Sequence, residues 1–413
     1  MSPVESKRWI IQILNFDFIR NELIIIKFTW KIIRFIHYKP GIMNDNRRDF
    51  LKKTGLLTAG LTMGHSAMSL NSLAGKPKEY VKDAGMKFCF AYFGGAEAEK
   101  RKVEFGKQLD VLGAVGGINP GSVGLKNVNP WEFEAVSAVK QSWDKLGLKL
   151  EVIEGPPSLG EKTKLGLEGK DEEISNFITL MKNLTKVGID VICYNWMPVI
   201  SWARTSNDRP GRGGALVTAF DNDDIKDATL TKYGEISKEA LWKNLEYFLK
   251  AVVPEAEKCG MKLAMHPDDP QVDQIRGISR IMNTADSFRR MYKLYPSINN
   301  GLTMCQGNFS LMGEDIPTIV KEFGKLDLIH FVHFRNVRGG KYKFEETFHD
   351  EGQIDMYQAM KAYIDLGFKG PIRPDHVPTM AGDSNERPGY SHIGGLFAVG
   401  YIRGLMESIS KNS

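Results

Sequence analysis

The sequence predicts a single (β/α)8 barrel. Three observations lead there. From residue 86 onward short β-rich runs alternate with amphipathic segments, the helical patterns stop at glycines before the next run, and no Pro- or Ser-rich linker divides the stretch. Strict alternation calls for a parallel sheet with right-handed crossovers, and eight strands over roughly 320 residues favour closure into a barrel. An open doubly wound sheet is the alternative, but Gly94-Gly95 after the first run lacks the spaced glycines of a dinucleotide fingerprint.

The eight runs fall at residues 87–93 (KFCFAYF), 110–115 (DVLGAV), 148–153 (LKLEVI), 190–196 (DVICYNW), 262–266 (KLAMH), 300–305 (NGLTMC), 328–335 (LIHFVHFR) and 371–375 (PIRPD). Between them, segments 131–147, 171–188, 237–260 and 355–368 repeat apolar residues at three- and four-residue spacing and stop at Gly147, Gly188, Gly260 and Gly367. The longest stretch without periodicity, 204–235, follows the fourth run and is expected to cover the C-terminal mouth of the barrel. Cys89 and Cys193 sit in apolar runs and read as core thiols; four widely spread cysteines are unlike a disulfide framework.

The charge divides along the chain. Of 55 Lys and Arg and 50 Asp and Glu, residues 1–74 hold 11 and 5, which leaves 44 against 45 and a net charge of −1 for the remainder. The overall +5 therefore belongs to the N-terminal segment, and a nucleic-acid partner is excluded because no basic stripe with interleaved aromatics occurs. Within that segment, NDNRRDFLKKTGLLTAGLTMG places Arg47-Arg48 before a weakly apolar stretch and small residues ending in Ser72-Leu73-Ala74, which resembles a twin-arginine export signal. The apolar run is too short to be a stable membrane span. Three segments follow: 1–42, read as an extension upstream of a true start at Met43; 43–74, the signal; and 75–413, the barrel. The expected location is periplasmic, with the cytoplasm as the alternative.

The ends of the later runs carry the chemistry. His266 ends the fifth, Cys305 the sixth, His333 lies near the end of the seventh and Asp375 ends the eighth. Barrel strand ends converge on one rim, so these four residues meet there. Two imidazoles, a thiolate and a carboxylate suit Zn²⁺, Mn²⁺ or Fe²⁺ rather than Mg²⁺ or Ca²⁺. His376 follows Asp375 and could transfer a proton, and Tyr390 in RPGY stands on the next loop. Arg373, two residues before Asp375, shares its side of the strand. Arg335, Arg204 and Arg373 are candidates for binding the substrate, the first two by holding its carboxylate. Asp268 and Asp269 either orient His266 or cap a following helix.

HPDDP (266–270), LTMCQG (302–307), HFRN (333–336), FHDEGQIDMY (348–357), RPDH (373–376) and RPGYS (387–391), with YNWMPV (194–199) and WART (202–205), resemble the mannonate dehydratase family over about residues 145–410. The resemblance implies a xylose-isomerase-like (β/α)8 barrel that removes water from D-mannonate, giving 2-keto-3-deoxy-D-gluconate in hexuronate and glucuronate catabolism, with Mn²⁺ or Fe²⁺ as cofactor. It places the metal ligands on His266, Cys305, His333 and Asp375, the acid/base pair on His376 and Tyr390, and implies a small sugar acid as partner; a homo-oligomer is left open. The first half departs from the family: FAYFGGAEAEK (90–100) stands where a Trp-Tyr-Gly type segment is usual, and AVGGINPGS (114–122) where a His-His motif is usual. An export signal is also unexpected for intracellular uronate breakdown. The alternatives are a sugar isomerase or epimerase on the same barrel, and an exported, non-catalytic sugar-acid or metal-binding protein.

Overall fold

The computed structural model describes residues 81–95 and 99–412. The expectations placed on residues 1–74, the extension and the export signal, lie outside them. The strands are β1 Lys87–Ala91, β2 Gly113–Gly116, β3 Lys149–Glu154, β4 Val191–Asn195, β5 Ser206–Pro210, β6 Leu216–Asp221, β7 Lys262–His266, β8 Gln274–Ile275, β9 Ile278–Ser279, β10 Asn300–Cys305, β11 Ile329–Phe334, β12 Val337–Gly340, β13 Lys343–Glu346 and β14 Pro371–Pro374. The helices are α1 Lys100–Gln108, α2 Phe133–Lys145, α3 Glu161–Leu165, α4 Lys170–Lys186, α5 Lys238–Cys259, α6 Ala285–Leu294, α7 Gln306–Leu311, α8 Ile316–Gly324, α9 Met356–Asp365 and α10 His392–Asn412.

Eight parallel strands close in the order β1-β14-β11-β10-β7-β4-β3-β2, each of them one of the eight runs read from the sequence. The period-two pleat sorts their side chains. Phe331 on β11 joins Cys89, Ala91, Val115, Val152, Val191, Cys193 and Ala264 in the barrel interior. Val332 and Phe334 turn outward into the layer that the helices cover. Both expected core thiols, Cys89 and Cys193, are buried and unpaired. The helix stops are as read: Gly147, Gly188, Gly260 and Gly367 have φ of +72°, +80°, +75° and +69°. An added Cβ there would meet nothing within 4 Å, so backbone conformation alone calls for glycine. At the other end of α5, Ser237 accepts a hydrogen bond from the Ala240 amide at 3.2 Å. Among the described residues no helix is long and apolar enough to cross a membrane.

The stretch 204–235 is not a bare loop. It contains β5 and β6, which join β12 and β13 in an antiparallel sheet of order β12-β13-β6-β5. The β5 strand is SNDRP and almost wholly exposed, so no apolar alternation marks it; pairing with β6 holds it extended. Phe220 and Phe344, rings 5.8 Å apart, pack β6 against β13. This sheet carries Glu346 to the barrel mouth.

Two buried histidines outside the site make stability depend on pH. Burial holds His330 and His349 at about 4. Between that value and the ordinary 6.5, the unfolded chain binds protons that the fold excludes. Their contribution is complete above pH ~6.5 and is lost as pH falls toward ~4, at up to about 1.4 kcal/mol per pH unit for each group. The urea midpoint should therefore drop between about pH 7 and pH 4.5, with a shallower drop in His330→Asn. A midpoint that does not move across that range would contradict the assignment.

Candidate active site and metal centre

His266, Cys305 and His333 reach one point from β7, β10 and β11, their ligand atoms all within 4.8 Å of one another. His266 Nε2 lies 3.2 Å from His333 Nδ1. Asp375, just past β14, places Oδ2 at 3.6 Å from His333 Nδ1 and 3.7 Å from Cys305 Sγ. All four residues expected to be ligands therefore converge. A fifth group was not foreseen: Glu154, the last residue of β3, lies 3.5 Å from His333 Nε2 and 3.0 Å from Arg373 Nη2. With Cys193 and His333 it forms a second cluster of potential ligands.

The electrostatics prepare these groups to bind a cation. Burial, with His333 beside it, lowers His266 to about 4, so its imidazole is neutral near pH 7. Its Nδ1 donates to the Pro267 carbonyl at 2.7 Å, which leaves the Nε2 lone pair facing His333. Burial also lowers His333, helped by Arg373. Burial would raise Glu154, but Arg373 and His333 outweigh it and hold the carboxylate at about 2. Asp375 lies well below the usual carboxylate range because Arg373, His376 and His333 overcome the cost of burial. Cys305 moves the other way: burial pushes its thiol well up, and Arg335 only partly opposes this. A dication would reverse that balance, since coordination deprotonates a thiol. The residues fit such an ion. His333 Nε2 and Glu154 Oε2 are buried without a hydrogen-bond partner, and the nitrogen, sulfur and oxygen donors suit Mn²⁺, Fe²⁺ or Zn²⁺.

Three arginines surround the ligands. Arg204 grips Asp269 with two nitrogens, at 2.5 and 3.1 Å, and reaches Glu346 Oε1 at 2.6 Å. Arg335 contacts Asp269 at 3.1 Å, Glu346 at 3.1 Å and Asp375 at 3.4 Å. Gly307 lets Arg335 pass, because a Cβ there would stand 2.4 Å from its Nε. Both side chains are fully buried. Of Arg204 and Arg335, expected to hold a substrate carboxylate, the structure shows contacts to the protein's own carboxylates. Arg373 does line the chamber, but it is engaged by Asp375 at 2.6 Å and by Glu154. Neither reading of Asp268 and Asp269 holds. Asp269 is the anchor of Arg204 and Arg335, Asp268 accepts from the Met282 amide at 2.7 Å, and His266 is oriented by a backbone carbonyl.

Glu346 is the other residue missed from the sequence. Its Oε1 lies 2.9 Å from His376 Nδ1. Arg335 Nη1 reaches the same nitrogen; a carboxylate only accepts and a guanidinium only donates, so the two contacts fix the orientation of the ring and not its tautomer, with Nε2 turned away from both. The His376 ring stands edge-on to Tyr390 at 5.4 Å and 5.5 Å from Trp202. Burial, reinforced by Asp375, pushes the Tyr390 phenol far up, so it is a proton donor at neutral pH. Gly389, at φ +83°, turns the loop so that its carbonyl accepts from the Val377 amide and Tyr390 faces inward. His376, Tyr390 and Trp202, with His266, His333 and Asp375, line a chamber of about 290 Å³. Glu346→Gln removes the charge shared by Arg204 and Arg335 and should cost about 3 kcal/mol of stability, read as a lowered urea midpoint.

A model of the D-mannonate dehydratase (UxuA) family matches residues 86–232 and 227–413. The chain belongs to the mannonate dehydratase family. It is 35% identical over 354 residues to mannonate dehydratase 2 of Halalkalibacterium halodurans, covering 79% of this chain and all of that one. It is 35% identical over 361 residues to the mannonate dehydratase of Thermotoga maritima, covering 79% and 98%. The crystal structure of mannonate dehydratase from Streptococcus suis superposes with a TM-score of 0.72 at 33% identity, over 79% of this chain and 94% of that one. A xylose isomerase-like TIM barrel protein from Mycobacterium smegmatis, at 12% identity and a TM-score of 0.50 over 76% and 90%, shares the fold. The family is one of metal-dependent hydro-lyases, and the xylose-isomerase-like barrel expected from the sequence is the one observed.

Proposed function

We propose that the chain dehydrates D-mannonate, or an aldonate closely related to it, to 2-keto-3-deoxy-D-gluconate, a step of hexuronate breakdown. The observation that carries this reading is one chamber in which the ligand cluster faces the His376–Tyr390 pair, in a chain of this family. Mn²⁺ or Fe²⁺ held by His266, Cys305, His333 and Asp375 would supply Lewis-acid stabilisation of the charge that develops on the substrate carboxylate. His376, its ring held at Nδ1 by Glu346 and Arg335, takes the proton from carbon 2 at Nε2. Tyr390, held protonated, gives its phenolic proton to the departing carbon-3 hydroxyl. The enol that remains tautomerises to the 2-keto acid. Arg204, Arg335 and Asp269 act through Glu346 and Asp375 as positioning residues. Trp202 and Tyr390 wall the chamber beside His376, which limits water at the proton-transfer atoms.

The test is to load the protein from Gly75 onward with Mn²⁺ and offer D-mannonate and a panel of aldonates, following 2-keto-3-deoxy acid formation. Turnover of no aldonate by metal-loaded protein would overturn the reading, and isomerised sugars would promote an isomerase or epimerase. Export to the periplasm is part of the proposal, supported by the Arg47-Arg48 string and its apolar sequel. Fractionation of cells carrying a tagged chain should find the barrel outside the cytoplasm, and inside it after Arg47→Lys with Arg48→Lys.

A further inference from the structure

Beside the catalytic chamber lies a second and larger cavity, about 800 Å³, over the ends of β1, β2 and β3. Phe93 and Gly155 line both, so the two spaces adjoin. In the barrel order β2 stands diametrically across from β10, the strand of Cys305. An aldonate with its carboxylate end at the ligand cluster would have room for its far carbons on this side. The space is kept open by missing side chains. Gly117, just past β2, has no left-handed φ, and a Cβ there would meet nothing within 4 Å. Neither backbone nor packing calls for glycine at that position, and its bare Cα leaves the cavity wall open there. Phe93 leaves 47% of its surface uncovered at the junction, its ring 5.3 Å from Tyr390. An exposed aromatic face beside hydroxyl and amide groups, here Ser142 and Asn119, is suited to one face of a sugar ring. Among the described residues the lining includes Lys145 and no carboxylate.

We infer that the substrate is an aldonate glycosylated on its far end, at oxygen 4 or oxygen 6, with the added pyranose ring in the second cavity against Phe93. This rests on the dehydratase reading and names its substrate class. The chemistry is unchanged. The carbon-2 to hydrogen and carbon-3 to oxygen bonds break, water leaves, the enol tautomerises, and the glycosidic bond is retained in the product. Remote binding energy of this kind raises kcat/KM.

The experiment compares D-mannonate with its 4-O- and 6-O-mannopyranosyl derivatives, by turnover and by ligand-induced rise in melting temperature. At least one glycosylated acid should show kcat/KM about tenfold or more above D-mannonate. Gly117→Leu, and Ser142→Phe from the opposite wall on α2, should remove that advantage and the thermal shift while leaving D-mannonate within about twofold. D-mannonate turned over with neither glycosylated acid bound overturns the inference and leaves the dehydratase reading standing. Equal response of both substrates to the two filling variants also overturns it. Turnover of no aldonate, glycosylated or free, overturns the underlying reading and the inference with it.

Discussion

His376→Asn is expected to lower kcat by about 10³-fold or more while the metal content stays that of the parent. His376 touches the ligand set through Asp375 Oδ1, 3.8 Å from its Nε2, and its firm contacts, both at Nδ1, are Glu346 at 2.9 Å and Arg335. An asparagine keeps a donor for Glu346 but has no basic nitrogen to receive a carbon-bound proton. Tyr390→Phe removes the other proton and should cost a similar factor, again with the metal retained. Because both act in one elimination, the double variant should be little worse than either single one. Metal analysis beside single-turnover kinetics checks all three, and full activity in His376→Asn would overturn its assignment as the base.

Cys305→Ala should have the opposite signature, losing the ion together with turnover. The thiol is buried and pushed well above its usual range, so it ionises only when a cation arrives. Metal binding to the parent near pH 7 should thus release a proton that the Ala variant does not release, measurable by titration calorimetry in buffers of different ionisation enthalpy. Affinity should fall by more than about 100-fold, the upper range for changes that only touch a ligand from outside. Unaltered metal content in Cys305→Ala would remove Cys305 from the ligand set.

The barrel was legible because each of its strands is buried on both faces and reads as a short apolar run between helical patterns. The same reading found four groups at strand ends. It passed over Glu154 for a local reason: the apolar run closes at Ile153, whereas β3 continues one residue further. Glu346 was illegible for a different one. It rides on β13, a four-residue strand of sequence KFEE whose extended form depends on pairing with β6. The arginines show a third limit. Arg204 meets Asp269 and Glu346 across 65 and 142 residues of chain, so only the fold reveals that its carboxylates are internal. In the first half of the barrel the glycines at 94, 95 and 117 were visible, but that they border an empty volume was not.

The arginine and carboxylate cluster also sets the charge that the centre can accept. Arg204, Arg335 and Arg373 face Glu154, Asp269, Glu346 and Asp375, three positive groups against four negative ones. Ionised Cys305 makes the deficit two, with the imidazoles of His266 and His333 neutral. A divalent ion brings this enclosed volume to electroneutrality, whereas a monovalent ion leaves it negative and a trivalent one leaves it positive. Oxidising a bound Fe²⁺ to Fe³⁺ would leave a buried surplus of one positive charge, able to tighten the hold on an anionic product and slow its departure.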